Sequence, residues 1–259
     1  VTQASPDPWA HLRAHTAARI ALGRAGVSLP TQEWLRFGLA HAAARDAVHL
    51  PFDASTLATD LQAHSFATLT VRSAAQDRAT YLTRPDLGRR LSDESAAQLR
   101  SLNAPPCDVA IVVGDGLSAR GVHAHAVALL LELRARLEQA GFTLAPVLLA
   151  HQCRVALGDE AGALLHTRAV VVLIGERPGL SSPDSLGAYL TWAPQPGRLD
   201  SQRNCVSNIR PPDGLSYTTA AHRIAWLLGA AARLGITGVA LKDQSDHALG
   251  VTQAPKTLR

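Results

Sequence analysis

Aromatic side chains make up only 4% of this 259-residue chain, cysteine occurs three times, and lysine stands only at Lys242 and Lys256. Long apolar runs are missing as well. The stretch from Ala169 to Ile174 is among the longest and falls far short of the roughly eighteen residues that span a bilayer, which excludes a transmembrane helix. The opening Val1-Thr-Gln-Ala-Ser-Pro has neither the basic n-region nor the apolar h-region of a secretory signal, so a cytoplasmic protein without membrane contact is expected. Cys107, Cys153 and Cys205 are odd in number and widely spaced. They suit neither a disulfide framework nor a tetrahedral zinc site, and no metal site is expected. Cys107 and Cys153 read as small buried apolar residues in a reducing compartment. The net charge of +4 comes from 25 basic and 21 acidic side chains, and the basic excess is mostly scattered Arg. A nucleic-acid groove would need that charge clustered. Dispersed Arg suits planar, bidentate contacts at subunit interfaces.

What is plentiful is aliphatic. The chain is 47% hydrophobic, mostly Ala, Leu and Val, and is long enough to bury a substantial core without metal or disulfide staples. An α/β fold is expected, with a mainly helical N-terminal region over 1–104 and a doubly wound, mostly parallel, Rossmann-like sheet over 105–259. In the first region a helix is predicted from Trp9 to Gly23, and a second from Thr31, its candidate N-cap, to Asp46. The second carries a stripe of Trp34, Leu35, Gly38, Leu39 and Ala42. Phe66 to Arg72 alternates apolar and polar residues and reads as a lone strand that pairs with a partner. A basic segment around Pro85, Tyr81 to Leu91, precedes a helix reaching Leu102, and Pro105-Pro106 marks the boundary.

Beyond it, apolar runs at 108–113, 143–149, 169–174 and 239–241 alternate with helices at 118–140 and 218–234. Unalternating strands separated by helices indicate a sheet covered on both faces. Ligands then bind beyond the carboxyl ends of the strands.

Two such ends stand out. Gly114-Asp115-Gly116-Leu117-Ser118-Ala119 invites a nucleotide-fingerprint reading but lacks the third glycine and the later acidic residue, which favours a tight turn with Asp115 or Ser118 capping the next helix. Gly175-Glu176-Arg177-Pro178-Gly179 sets a carboxylate at a strand end before a stiff turn. It is either an ion pair between neighbours or an acceptor presented to ligand N–H groups. Arg203 to Pro212 reads as a polar loop centred on Cys205, which has no local base to activate it and is better placed as a packing residue against a ligand. His123 and His125 diverge on a helix and read as surface residues. Ser245-Asp246-His247-Ala248-Leu249-Gly250 approaches the Asp-x-His-x-x-Gly motif that supplies a lower axial ligand to some cobalamins, but Ser stands where Asp is needed. A stand-alone nucleotide-binding α/β protein is the alternative function to weigh.

Several blocks taken in order resemble the small subunit of ethanolamine ammonia-lyase along nearly the whole chain. They are Ala18-Arg19-Ile20 with Gly23 to Gly26, Leu35-Arg36-Phe37, Tyr81 to Leu91, Asp115 to Ser118, Gly175 to Leu180, and Cys205 with Ser207-Asn208-Ile209. The resemblance implies a complex of large and small subunits, six of each, with adenosylcobalamin held between the two kinds of chain and its own dimethylbenzimidazole kept as lower ligand. The family's small-subunit contacts to the cobalamin, a valine, a glutamate and a cysteine, fall on Val155, Glu176 and Cys205. No catalytic residue is implied on this chain. The reaction implied is loss of ammonia from ethanolamine to give acetaldehyde, with the hard steps belonging to the cofactor and substrate-binding residues on the large subunit's barrel. Some relatives carry a long N-terminal extension that this sequence lacks, a region expected to bear on targeting to a bacterial microcompartment.

Overall fold

The computed structural model describes residues 7–102 and 105–248. In chain order the elements are α1 (Thr31–His49), α2 (Ala54–Ala63), β1 (Thr68–Arg72), α3 (Arg78–Thr83), α4 (Asp93–Ser101), β2 (Val109–Gly114) and α5 (Ala119–Gln139). Then follow β3 (Val147–His151), α6 (Leu157–Leu164), β4 (Ala169–Gly175), β5 (Leu186–Trp192), β6 (Asn204–Ile209), α7 (Tyr217–Leu234) and the short α8 (Ser245–Ala248). The six strands form one mixed sheet in the order β1-β3-β2-β4-β5-β6. The first four strands are parallel to one another, β5 returns antiparallel beside β4, and β6 lies antiparallel to β5 at the edge.

Both faces of the sheet are covered, which is why β2 and β4 have no exposed residue. Val109, Ile111 and Val113 point into one core with Leu57 and Leu61 of α2, Val122 and Leu129 of α5, and Ile224 and Leu228 of α7. Ala110 and Val112 point the other way, into a second core with Leu99 of α4 and Leu157 of α6. Alternate strand residues thus serve opposite layers. Helix α7 shows how local sequence sets the ends: the Ser216 side chain accepts the Thr219 N–H, and Gly235 closes the last turn at φ 72°.

Several expectations need correction. The helix from Trp9 to Gly23 reduces to one 3-10 stretch, Ala10–His15, with no buried residue; without an apolar face against a core, a short helix gains too little to persist. Pro30, not Thr31, takes the cap position of α1 and makes no side-chain cap bond. The strand expected to stand alone begins at Thr68 and pairs in parallel with β3 of the same chain, from Thr68 opposite Val147 to Arg72 opposite His151. The expected polar loop at 203–212 is largely strand β6, with Val206 and Ile209 turned inward and Cys205, Ser207 and Asn208 exposed. An edge strand needs only part of its residues apolar, so composition hid it. Strand β5 was not foreseen at all, and the final apolar run forms a 3-10 turn at Gly238–Ala240.

Candidate crevice at the carboxyl ends of the parallel strands

From the central β2 the chain steps to β3 on one side and later to β4 on the other. Helix α5, which follows β2, packs on one face of the sheet and α6, which follows β3, on the other, so the loops leaving β2 and β3 part toward opposite faces and open a crevice at the strand ends. A cavity of about 460 Å³ occupies it, lined by Tyr81, Gly116, Leu117, Arg154, Val155, Ile174, Gly175, Glu176, Arg177 and Tyr189.

The glycines at its floor serve close packing of backbone. A Cβ on Gly116, whose φ is +57°, would lie 2.2 Å from the Gly175 carbonyl oxygen, and one on Gly175 would lie 2.0 Å from the Ser118 carbonyl oxygen. The Leu117 N–H donates to Gly175 O at 2.9 Å, so it is not free to cradle a phosphate. Ser118 holds the N-cap position of α5 as expected, but no side-chain cap bond forms there. The Ser118 hydroxyl donates to Pro183 O at 2.9 Å, and the Asp115 carboxylate turns to the β3 side, accepting Gln152 N–H at 3.0 Å and Cys153 N–H at 2.8 Å. Asp115 is 3% exposed, and burial raises its pKa against the lowering effect of those N–H groups and of Arg78. Cys153 is fully buried behind Gly114, and its thiol is pushed up by that burial, as an inert packing sulfur would be.

The wall from β3 carries Arg154 and Val155. The Arg154 N–H donates to Gly88 O at 2.8 Å and its Nη2 to Tyr81 O at 3.2 Å, while the guanidinium lies 4.2 Å over the Tyr81 ring. Arg78 stacks on the same ring at 4.8 Å, and the Tyr81 hydroxyl donates to Cys153 O at 3.0 Å. Gly88 is required beside this stack, because a Cβ there would meet Arg154 Cγ at 2.8 Å. Arg154 Nε is buried without a partner, and among the described residues Arg154 forms no ion pair. The Tyr81 to Leu91 segment thus shapes the crevice from below.

On the opposite wall, Glu176 follows β4. Its Oε2 accepts the Ser185 hydroxyl and the Asn208 N–H at 3.2 Å. Gly187 gives Oε1 its room, since a Cβ there would be 2.8 Å away. Among the described residues Glu176 makes no ion pair with Arg177, so the neighbour-pair explanation falls. Tyr189 of β5 lines the cavity, and its pKa is raised by desolvation and then by the Cys205 thiol and the Glu176 carboxylate nearby. Cys205 stands opposite Tyr189 across the β5–β6 ladder and is exposed.

The structure therefore brings Val155 and Glu176 into one cavity and sets Cys205 beside a residue that lines it. Tyr81 and Tyr189 were missed: the first lay in a segment marked only by its basic residues, the second on an unrecognised strand. Other expectations are corrected. His125 is buried, with Nδ1 2.9 Å from the Tyr217 hydroxyl, whereas His123 is exposed and its Nε2 accepts the Asp53 N–H at 3.0 Å. Cys107 is only half-buried. In the incomplete Asp-x-His motif, Ser245 is buried and Asp246 pairs with Arg223 at 3.0 Å; Leu249 and Gly250 lie outside the described residues. No helix among the described residues is long and apolar enough to cross a membrane.

The family model described as Ethanolamine ammonia-lyase light chain (EutC) matches residues 6–242. A protein named ethanolamine ammonia-lyase small subunit from Xanthomonas campestris pv. campestris is 58% identical over 246 residues, covering 94% of this chain and 90% of the relative. Proteins of the same name from Bradyrhizobium diazoefficiens and Azotobacter vinelandii are 56% and 55% identical, covering 92% and 95% of this chain and 91% and 92% of the relatives.

Proposed function

The chain belongs to the ethanolamine ammonia-lyase light-chain family, and from that premise we propose that its crevice forms one half of an adenosylcobalamin site whose other wall is the large subunit. The chain acts as the small subunit of this carbon–nitrogen lyase. One observation carries the site: Val155, on the loop after β3, and Glu176, on the loop after β4, line the same open cavity. A cavity of about 460 Å³ is of the size that encloses an ordinary small ligand. A corrinoid is far larger, so this surface would cover only part of one.

The residues present fit the group. A corrin is an apolar disc rimmed by amides, each offering N–H donors and a carbonyl acceptor. Glu176 Oε1, free of donors among the described residues, would accept a rim N–H, and Arg154, whose side chain lines the cavity, would donate to a rim oxygen. Val155, Ile174 and Leu117 cover apolar surface between them, and Cys205 packs at the edge beside Tyr189. When bound, adenosylcobalamin supplies the radical chemistry that converts ethanolamine to acetaldehyde and ammonia. This chain's residues hold and orient one face of it and keep water from that face. Helices on both sides of the sheet and a crevice at the point where strand order reverses support a doubly wound, Rossmann-like reading of the fold. Six copies of each subunit, in the cytoplasm or inside a microcompartment, complete the proposal.

Co-expression with the large subunit tests it. The purified complex is expected to take up cobalamin, seen in its visible spectrum, and to release ammonia from ethanolamine, while the isolated chain does neither. Lyase activity from the isolated chain, or a holoenzyme structure with the corrin remote from the crevice, would overturn it.

A further inference from the structure

Helix α1 has 19 residues, and only Ala47 among them is buried. Its sequence carries the apolar stripe that a core-facing helix needs, yet that stripe faces away from this chain: Trp34 is 66% exposed, Leu35 58% and Leu39 71%. Gly38 lies on the same stripe, and a Cβ there would touch nothing within 4 Å. The segment before α1 is similar. Of the fourteen large apolar side chains exposed among the described residues, ten fall between Trp9 and Leu50. A helix in a folded chain is held by burial of its apolar side chains rather than by propensity, and large apolar side chains exposed on neighbouring turns mark an interaction site.

The other contacts of α1 say what covers it. Phe37, off the stripe, lies under the Arg19 guanidinium at 5.6 Å, and Arg19 Nη2 donates to Leu180 O at 3.2 Å, in the turn that follows Glu176. At its far end, Val48 O accepts Arg78 Nε at 2.9 Å, and Arg78 Nη1 donates to Gly116 O at 2.8 Å on the cavity floor. Through Arg19 and Arg78, α1 is thus linked to two of the loops that border the crevice. A chain that closes the crevice from outside therefore approaches α1.

We propose that residues 9–50 form a docking arm for the large subunit, with Trp34, Leu35, Gly38 and Leu39 as the seam that packs into an apolar groove on that subunit. The inference rests on the reading that the crevice is half of a site completed by that partner. Closing the crevice and covering the arm are then one event. Gly38 admits the close approach of another backbone, and the two large aliphatic residues and the indole supply the anchors.

The test uses the full chain. Wild type, the double variant Trp34→Asp/Leu39→Asp, and Gly38→Leu are each co-expressed with the large subunit, and assembly is read by sedimentation and native mass. Circular dichroism and melting of each isolated chain monitor the fold. Both variants are expected to fold as wild type does, because their side chains face solvent in the single chain, and to bind the large subunit more than about 100-fold more weakly. Variants that assemble as tightly as wild type would overturn the arm and leave the crevice reading standing. An isolated chain that dimerises through the stripe, with heteromer formation untouched by the variants, would assign the stripe to a second copy and overturn it also. Wild-type chain that never joins the large subunit would overturn both readings together.

Discussion

The Asp115 carboxylate accepts the backbone N–H of Cys153 at 2.8 Å, two residues before Val155. This bond, with the one from Gln152 N–H, ties the turn after β2 to the loop after β3, so an acid that never faces the cavity sets where Arg154 and Val155 stand. Asp115→Ala leaves two N–H groups without an acceptor in a nearly closed space and removes the carboxylate 3.7 Å from the Arg78 guanidinium, at a cost of about 3 kcal/mol. Asp115→Asn keeps one acceptor oxygen and should cost less. Denaturant unfolding of the isolated chain checks the order, and equal stability of the two variants would contradict it.

Glu176 is only half-buried and has a free oxygen, so removing its charge should leave the fold intact. In the assembled complex, Glu176→Gln is expected to weaken cobalamin retention about tenfold and Glu176→Ala about a hundredfold, in line with loss of a charge-assisted bond and then of the acceptor itself. Equilibrium titration followed by visible absorbance measures this. Unchanged affinity in both variants would remove Glu176 from the site.

For Arg154 the prediction separates charge from shape. Arg154→Lys keeps the positive charge but loses the planar group that lies on the Tyr81 ring, so it should weaken cobalamin binding nearly as much as Arg154→Ala. A lysine variant indistinguishable from wild type would show that charge alone suffices.

Close packing at the crevice floor makes Gly116→Ala severe. The new methyl would press on the Gly175 carbonyl oxygen at 2.2 Å, on a backbone already at φ +57°, and a loss of about 2–4 kcal/mol follows. Thermal melting of the isolated chain gives the answer, and a shift below about 2 °C would contradict it.

Burial lowers the pKa of His125 from its ordinary 6.5, with Asp184 opposing. The unfolded chain therefore holds more protons than the folded one just below that value. Stability is fully present above pH 6.5 and is lost as pH falls through it toward the depressed folded value, by up to about 1.4 kcal/mol per pH unit for this one group. His125→Gln, which keeps a partner for the Tyr217 hydroxyl, should flatten this acid limb when melting is compared at pH 7.5 and pH 5.5. An unchanged slope would assign the limb to other groups, such as His123 and His151, which are also lowered by burial.

The parallel strands were legible because burial on both faces leaves an uninterrupted aliphatic signature, as in Ala169 to Ile174. Helices α5 and α7 were legible as the helical stretches 118–140 and 218–234 between the apolar runs. Strands β5 and β6 were not, since Gly187 and Thr191 interrupt one and Asn204, Ser207 and Asn208 occupy half of the other; only the pairing of β5 with β4 and of β6 with β5 decides that these residues are strand. Glu176 was visible as an acid at the end of an apolar run and Cys205 as the centre of a polar segment with no local base, whereas Val155 came only through resemblance to a family.

The sequence by itself determined which segments must be buried, that its longest apolar runs are too short for a helix to cross a bilayer, and which residue types wait at the ends of its strands. Tertiary structure alone decided that the glycine turn packs on backbone instead of on phosphate, that Tyr81 is clasped between Arg78 and Arg154, and that the apolar stripe of α1 faces outward. The reason is physical. Periodicity records that a residue needs a neighbour, whereas the identity of that neighbour depends on contacts between segments far apart in the chain, and for α1 on a second chain.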